Sequence, residues 1–150
     1  MNDQPKRVLF VCIGNSCRSQ MAEAFARAYG SDIVIPASAG LSASTHIAPH
    51  TVRCMQERNL DLHEQFPKSL RHMSRVKFDL VVNMSGMDLP VDPHTRVLDW
   101  DVADPVMMSY DEHCQVRDDI ERMVMQLILQ LRIEGHPEHF RGQGPERGER

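Results

Sequence analysis

Short, wholly apolar runs alternate along the chain with longer stretches in which apolar residues recur every third or fourth position. Val8-Leu9-Phe10-Val11 carries no polar residue, the pattern of a strand buried on both faces in a parallel sheet. Met21, Phe25 and Ala28 then fall at i, i+4 and i+7, one face of a helix that Gly30 stops. Ile33-Val34-Ile35 predicts a second strand, which Pro36 limits, and Ser38-Ala39-Gly40 opens a loop of small residues running to about His46. Pro49 suits the first turn of a second helix, with Val52, Met55 and Leu60 as its buried side. Leu80-Val81-Val82, within Phe78 to Met84, and Arg96-Val97-Leu98 predict the third and fourth strands. The clearest element is the last helix, where Val116, Ile120, Met123, Val124, Leu127, Ile128 and Leu131 trace one face until Gly135.

This alternation predicts an α/β fold of three layers, a four-stranded, mostly parallel sheet flanked by helices. Residues 1–134 are expected to form a single domain, and residues 135–150, rich in Gly, Pro and charge, a flexible C-terminal tail. In such folds ligands bind beyond the C-terminal ends of the strands. The segment after Val11 therefore sits where chemistry is expected.

That segment is Cys12-Ile13-Gly14-Asn15-Ser16-Cys17-Arg18-Ser19. A loop from a buried strand into a helix start carries backbone N–H groups without partners, and when it curls these groups form an anion cradle aided by the helix dipole. Gly14 and Asn15 are the residue types that most readily take left-handed backbone angles. The amides from Ile13 to Arg18 are the expected oxyanion contacts, and the Arg18 guanidinium adds a fork matched to two oxygens. Cys12 lies at the base of the cradle, where the same positive field favours its thiolate, and Ser19 is placed to donate a hydrogen bond to it. A nucleophile, an oxyanion cradle and a charge clamp thus occur within one short segment. Neither a Walker loop nor a GxGxxG fingerprint is present.

Composition narrows the readings further. With 41% hydrophobic and 25% charged residues, the 150-residue chain is an ordinary globular protein. A net charge of −4 and 5% aromatics speak against a nucleic-acid partner or an anionic membrane. No run reaches membrane-spanning length, and Val8 to Val11 is too short for a signal peptide, so a cytoplasmic location is expected. The four cysteines, Cys12, Cys17, Cys54 and Cys114, lack paired CxxC spacing, and no metal or other cofactor is expected.

The segment from Cys12 to Ser19, with five residues between Cys12 and Arg18, resembles the signature of low-molecular-weight protein tyrosine phosphatases. It resembles equally that of the arsenate reductases built on the same fold. The likeness extends over most of residues 6–134, including Ser38-Ala39-Gly40, the Phe78 to Val82 run and Asp104-Pro105. The resemblance implies that Cys12 attacks phosphorus to form a thiophosphate ester while Arg18 and the loop amides hold the equatorial oxygens. Asp104 would protonate the leaving group and then activate water. Asn15 and Ser19 would be supporting residues. Without the resemblance, Asp99, Asp101 and Asp111 are equal candidates for the acid. Cys17 is either a reversible redox partner of Cys12 or a packed residue, Cys54 is expected in the core, and His46 and His72 on the surface.

Departures from the family patterns divide the readings. Gln20 stands where the phosphatases usually have Pro and matches the reductases more closely. Val106-Met107-Met108 and Leu41 to Thr45 lack the aromatics that would stack on a phenol ring. Ser85 stands where thioredoxin-coupled reductases carry a resolving thiol, and serine cannot complete a disulfide relay. Three readings follow. The first is a phosphatase acting on phosphomonoesters, with a phosphorylated protein as one class of substrate. The second is an arsenate reductase drawing electrons from a small thiol or a redoxin. The third is a non-catalytic oxyanion or phosphoprotein binder.

Overall fold

The computed structural model describes residues 4–135; the expected tail from residue 136 onward lies outside them. Four strands, β1 (Lys6–Cys12), β2 (Val34–Gly40), β3 (Leu80–Asn83) and β4 (Val97–Asp99), form one sheet in the order β2-β1-β3-β4, and every pairing is parallel. Central β1 has strand neighbours on both sides and a core cluster on each face, Val8 and Phe10 in one and Leu9 and Val11 in the other, which is why Val8 to Val11 holds no polar residue.

The helices are α1 (Arg18–Gly30), α2 (Pro49–Gln56) and α3 (Tyr110–Gly135). All three contribute to the larger core on the face of Val8, Phe10 and Val82, where Met21, Phe25, Met55 and Ile120 are fully buried. On the opposite face Leu9, Val11, Ala39 and Val81 are covered by a 3-10 helix, Leu70–Met73, and by irregular chain including Leu41, Phe78 and Leu89. The flanking layer there is thinner than the helical one and leaves a cleft of about 860 Å³ that does not include Cys12 or Arg18 in its lining.

Three local expectations require correction. β2 continues through Pro36 to Gly40, so Ser38-Ala39-Gly40 is strand rather than loop. Because β2 is an edge strand, the missing N–H of Pro36 costs no sheet hydrogen bond on its unpaired side. Ala28 is exposed, because the buried surface of α1 is concentrated in residues 18–26 and Gly30 instead packs against Ile128. On α2 the buried side is Thr51, Cys54 and Met55 rather than Val52. The last helix holds closely to its expected stripe, with Met123 alone only half-buried.

Among the described residues no helix is long and apolar enough to cross a membrane.

Ile120 is 0% exposed in the α3 stripe whereas Leu129 is 59% exposed on the same helix. Ile120→Ala is expected to lower unfolding free energy by about 2–5 kcal/mol, and Leu129→Ala by less than about 0.5 kcal/mol, in urea denaturation. Comparable losses would place the core elsewhere than the Ile120 face.

Candidate active site

The chain leaves β1 at Cys12 and enters α1 at Arg18, and the intervening loop is shaped by what its carbonyls bond to. Leu41, Ser42 and Ser44 donate their N–H groups to the carbonyls of Cys12, Ile13 and Gly14, and Ala48 donates to that of Ser16. The Gln20 side-chain amide takes the Asn15 carbonyl, and Met21 N–H takes that of Cys17. Every carbonyl from Cys12 to Cys17 is thus turned outward. Among the described residues, no amide from Ile13 to Cys17 donates to a backbone carbonyl, so the loop offers its N–H groups as donors at the N-terminus of α1.

Two residues permit this curvature. Asn15 adopts φ 52°, the left-handed region, at 0% exposure. Its side chain is fully used: Nδ2 donates to Ser19 Oγ at 2.7 Å and Oδ1 accepts from Lys68 N–H at 2.9 Å. Gly40 is the second. A Cβ there would stand 2.6 Å from the Ile13 carbonyl oxygen and 2.9 Å from the Asn15 nitrogen. Gly14, expected to be left-handed alongside Asn15, is not among the positive-φ residues; a Cβ on it would instead lie 2.8 Å from Ser44 Oγ.

Cys12 is buried, with its Sγ 2.8 Å from Ser19 Oγ. Because Asn15 Nδ2 donates to that same hydroxyl oxygen, the single Ser19 proton is free to point at the sulfur. Ser19 and Asn15 together fix a hydroxyl against the Cys12 sulfur.

Arg18 is also buried. Its Nη1 donates to the carbonyls of Met84 at 2.6 Å and Val102 at 3.0 Å. Both Nη1 protons are therefore committed to the ends of two segments beyond the sheet, which fixes the guanidinium plane and leaves the Nε and Nη2 edge for an oxyanion. Nη2 lies 3.5 Å from Asp104 Oδ2.

Asp104 caps the 3-10 helix Pro105–Met107 by accepting from Val106 N–H, and its side chain is half exposed. Of its three rivals, Asp99 accepts from Asn83 Nδ2 at 3.0 Å and is occupied at the end of the sheet. Asp101 lines a shallow cavity of about 480 Å³ with Arg18, Asn83 and Asp99. Asp111 is exposed in the first turn of α3. Asp104 is the carboxylate that pairs with Arg18.

The remaining thiols differ in setting. Burial pushes the Cys17 thiol up, and hydroxyls of Thr51 and Ser16 pull it partly back. Burial pushes Cys54 up to about 12, and its sulfur lies 3.9 Å from Met21 Sδ in the core. Cys114 is half-buried. His46 and His72 are both exposed. Among the described residues no three or more His, Cys, Asp or Glu are grouped to hold a metal ion.

Several contributors carry no local sequence signal. Gly40, Lys68 and Gln65, whose amide donates to Gln20 Oε1 at 2.7 Å, sit in segments remote from the motif. The Thr51–His113 pair, Oγ1 to Nε2 at 2.9 Å, joins α2 to α3 behind the loop. Ser85 Oγ donates to Asn83 Oδ1 at 2.7 Å and accepts from Met87 N–H, a turn closed by a hydroxyl where a resolving thiol is expected in the thioredoxin-coupled reductases.

The surroundings of Cys12 match known proteins along most of the chain. The family model of low molecular weight phosphotyrosine protein phosphatases matches residues 7–136. The glutaredoxin arsenate reductase of a Synechocystis strain is 32% identical over 130 residues, covering 84% of this chain and 98% of that protein. Arsenate reductase 1 of a Bacillus cereus strain is 34% identical over 122 residues, covering 79% and 90%. Among solved structures, an arsenate reductase in the phosphate-binding state superposes with a TM-score of 0.77 at 32% identity, covering 84% of this chain and 98% of that one. The YwlE arginine phosphatase, in a mutant form with a phosphorylated active-site serine, superposes with a TM-score of 0.71 at 27% identity, covering 84% and 95%. β1 from Arg7 onward, the loop from Cys12 to Arg18, the Asp104-Pro105 segment and α3 all fall inside the matched span, and on that ground the chain belongs to the low molecular weight phosphotyrosine protein phosphatase family.

Proposed function

We propose that the protein is a cysteine-dependent phosphatase that hydrolyses phosphomonoesters through a cysteinyl-phosphate intermediate. The observation that carries this reading is the convergence of Cys12, its Ser19 hydrogen bond, the Arg18 guanidinium and the Asp104 carboxylate on one ring of outward-bonded carbonyls. The Cys12 thiolate attacks phosphorus as the bond to the ester oxygen breaks, and Asp104 delivers a proton to that oxygen. The loop amides from Ile13 to Arg18 and the Arg18 edge hold the three equatorial oxygens throughout. Water then attacks the same phosphorus, Asp104 takes its proton, and the Cys12 sulfur departs as thiolate. Atoms balance with one ester and one water consumed, and one alcohol and one phosphate released.

A second reading is supported by the relatives named as arsenate reductases and by Gln20, which ties the loop to Phe66. Here Cys12 attacks arsenate and displaces water, and an external thiol attacks the Cys12 sulfur. Arsenic leaves as arsenite with two electrons, and the two sulfurs form a mixed disulfide that a second thiol resolves. The closed Ser85 turn favours this external route over a relay within the chain.

Cys12→Ser is expected to abolish hydrolysis of p-nitrophenyl phosphate while inorganic phosphate still binds, since the cradle is backbone and Arg18; calorimetric titration with phosphate checks the second half. Retained turnover would remove Cys12 as the nucleophile. Asp104→Asn is expected to lower kcat/KM, which reports only the steps through ester cleavage, by about 100-fold or more for phenyl phosphate and far less for p-nitrophenyl phosphate, whose leaving group needs no proton. Equal slowing of both esters would point to another acid. A folded wild-type protein that binds phosphate but hydrolyses neither ester, and that forms arsenite from arsenate with glutathione or glutaredoxin, would establish the second reading instead.

A further inference from the structure

His113 is the buried ionisable side chain that the proposed chemistry leaves unused. It lies in the first turns of α3 at 1% exposure, among the largest fully buried side chains of the protein. Its Nε2 is 2.9 Å from Thr51 Oγ1, and Thr51 is itself 0% exposed on α2. The Thr51 hydroxyl also lies near enough to Cys17, in the loop before α1, to act on its thiol. The ring therefore reaches the underside of the loop through one hydroxyl. Its other nitrogen, Nδ1, is buried without a hydrogen-bond partner. An imidazole nitrogen left so in a packed core is destabilising unless something nearby completes it.

What lies nearby is the acid segment. Burial and His50 disfavour the charged ring, while the Pro105 backbone and the Asp104 carboxylate act in its favour, so both residues are close enough to be felt. The chain between them is short and tied: Met108 N–H donates to the Pro105 carbonyl, and His113 N–H donates to that of Ser109. His50 packs edge-on against the ring with centroids 5.6 Å apart, holding its orientation.

We propose that His113 is a positioning residue, tying Thr51 beneath the oxyanion loop with Nε2 and presenting Nδ1 to the Pro105 backbone, so that Asp104 is held in register with Cys12. This inference rests on the reading of Asp104 as the acid. A small movement of the acid segment onto a bound ester would let Nδ1–H donate to the Pro105 carbonyl, a bond completed as the site closes.

Two measurements on the full chain test it. His113→Phe, which keeps the ring volume, is expected to lower kcat/KM for phenyl phosphate about tenfold while that for p-nitrophenyl phosphate stays within about twofold. His113→Asn, which keeps a polar atom near the Nδ1 position, is expected to recover most of that loss. Equal loss for both esters, no loss, or an Asn variant as slow as the Phe variant would overturn the proposal. The second measurement needs neither turnover nor a His113 variant. In nitrogen-15 labelled protein, the His113 ring signals are expected to shift in Thr51→Val and again in Asp104→Asn. Signals indifferent to either substitution would overturn the proposal. A wild type that hydrolyses neither ester would sink the phosphatase reading alone, and the ring signals would then decide the tie by themselves.

Discussion

Everything at this site depends on where six carbonyls point. A loop that is to bind an anion with its amides must send its carbonyl oxygens elsewhere, since each would repel the ligand and each must be satisfied. The residues immediately after β2 do most of this, with Leu41, Ser42, Ser44 and Ala48 donating in succession to the loop from Cys12 to Ser16. That arrangement requires β2 to end hard against β1, and the required approach leaves no room for a Cβ at Gly40. The edge strand and the loop are therefore one construction. The parallel register Cys12 with Gly40 sets the distance, and the segment beyond Gly40 supplies the donors.

The parts of this that could be read from the chain are those carried by neighbours in sequence. The apolar run of β1, the stripe of α3 and the Cys12 to Ser19 segment are local patterns, and each appears in the structure where its pattern puts it. Edge position is not local, so in sequence Pro36 looks like a limit on β2, whereas in the fold it only marks the unpaired side. Gly14 was expected to share the left-handed turn with Asn15, but the turn needs one such residue, and it is Asn15 whose side chain also bonds both Ser19 and Lys68. Asp104 sits among several aspartates, and composition gives no reason to choose it. Only the family resemblance selected it, and the 3.5 Å approach to Arg18 is a physical reason that no spacing rule contains. Thr51 and His113 were invisible for the same cause: each lies on a different helix, 62 positions apart, and they meet only in the packed core.

The thiols illustrate how setting divides residues of one type. Cys54 is held in the core where burial disfavours its charge, and Cys17 is lifted in the same direction but partly relieved by Thr51 and Ser16. Cys12 has the Ser19 hydroxyl at 2.8 Å. The Cys12 sulfur is the one at the base of the loop, where β1 ends.

On the phosphatase reading proposed above, Arg18 would link the two halves of the reaction in a way that follows from counting its protons. Nη1 spends both on Met84 and Val102, so the guanidinium cannot swing away when a ligand arrives. Nη2 faces Asp104 at 3.5 Å, a weak pairing by distance, with the carboxylate half exposed to water. An entering oxyanion brings two oxygens matched to the Nε and Nη2 edge, and it competes for Nη2 on better terms than a single carboxylate oxygen at that range. The carboxylate displaced from Arg18 is then left beside the oxygen that must accept a proton. Its backbone is held in place by Pro105, which is buried. If Asp104 is the acid, binding the anion and freeing the carboxylate would be one event, because a single guanidinium edge would serve both groups and satisfy the anion better.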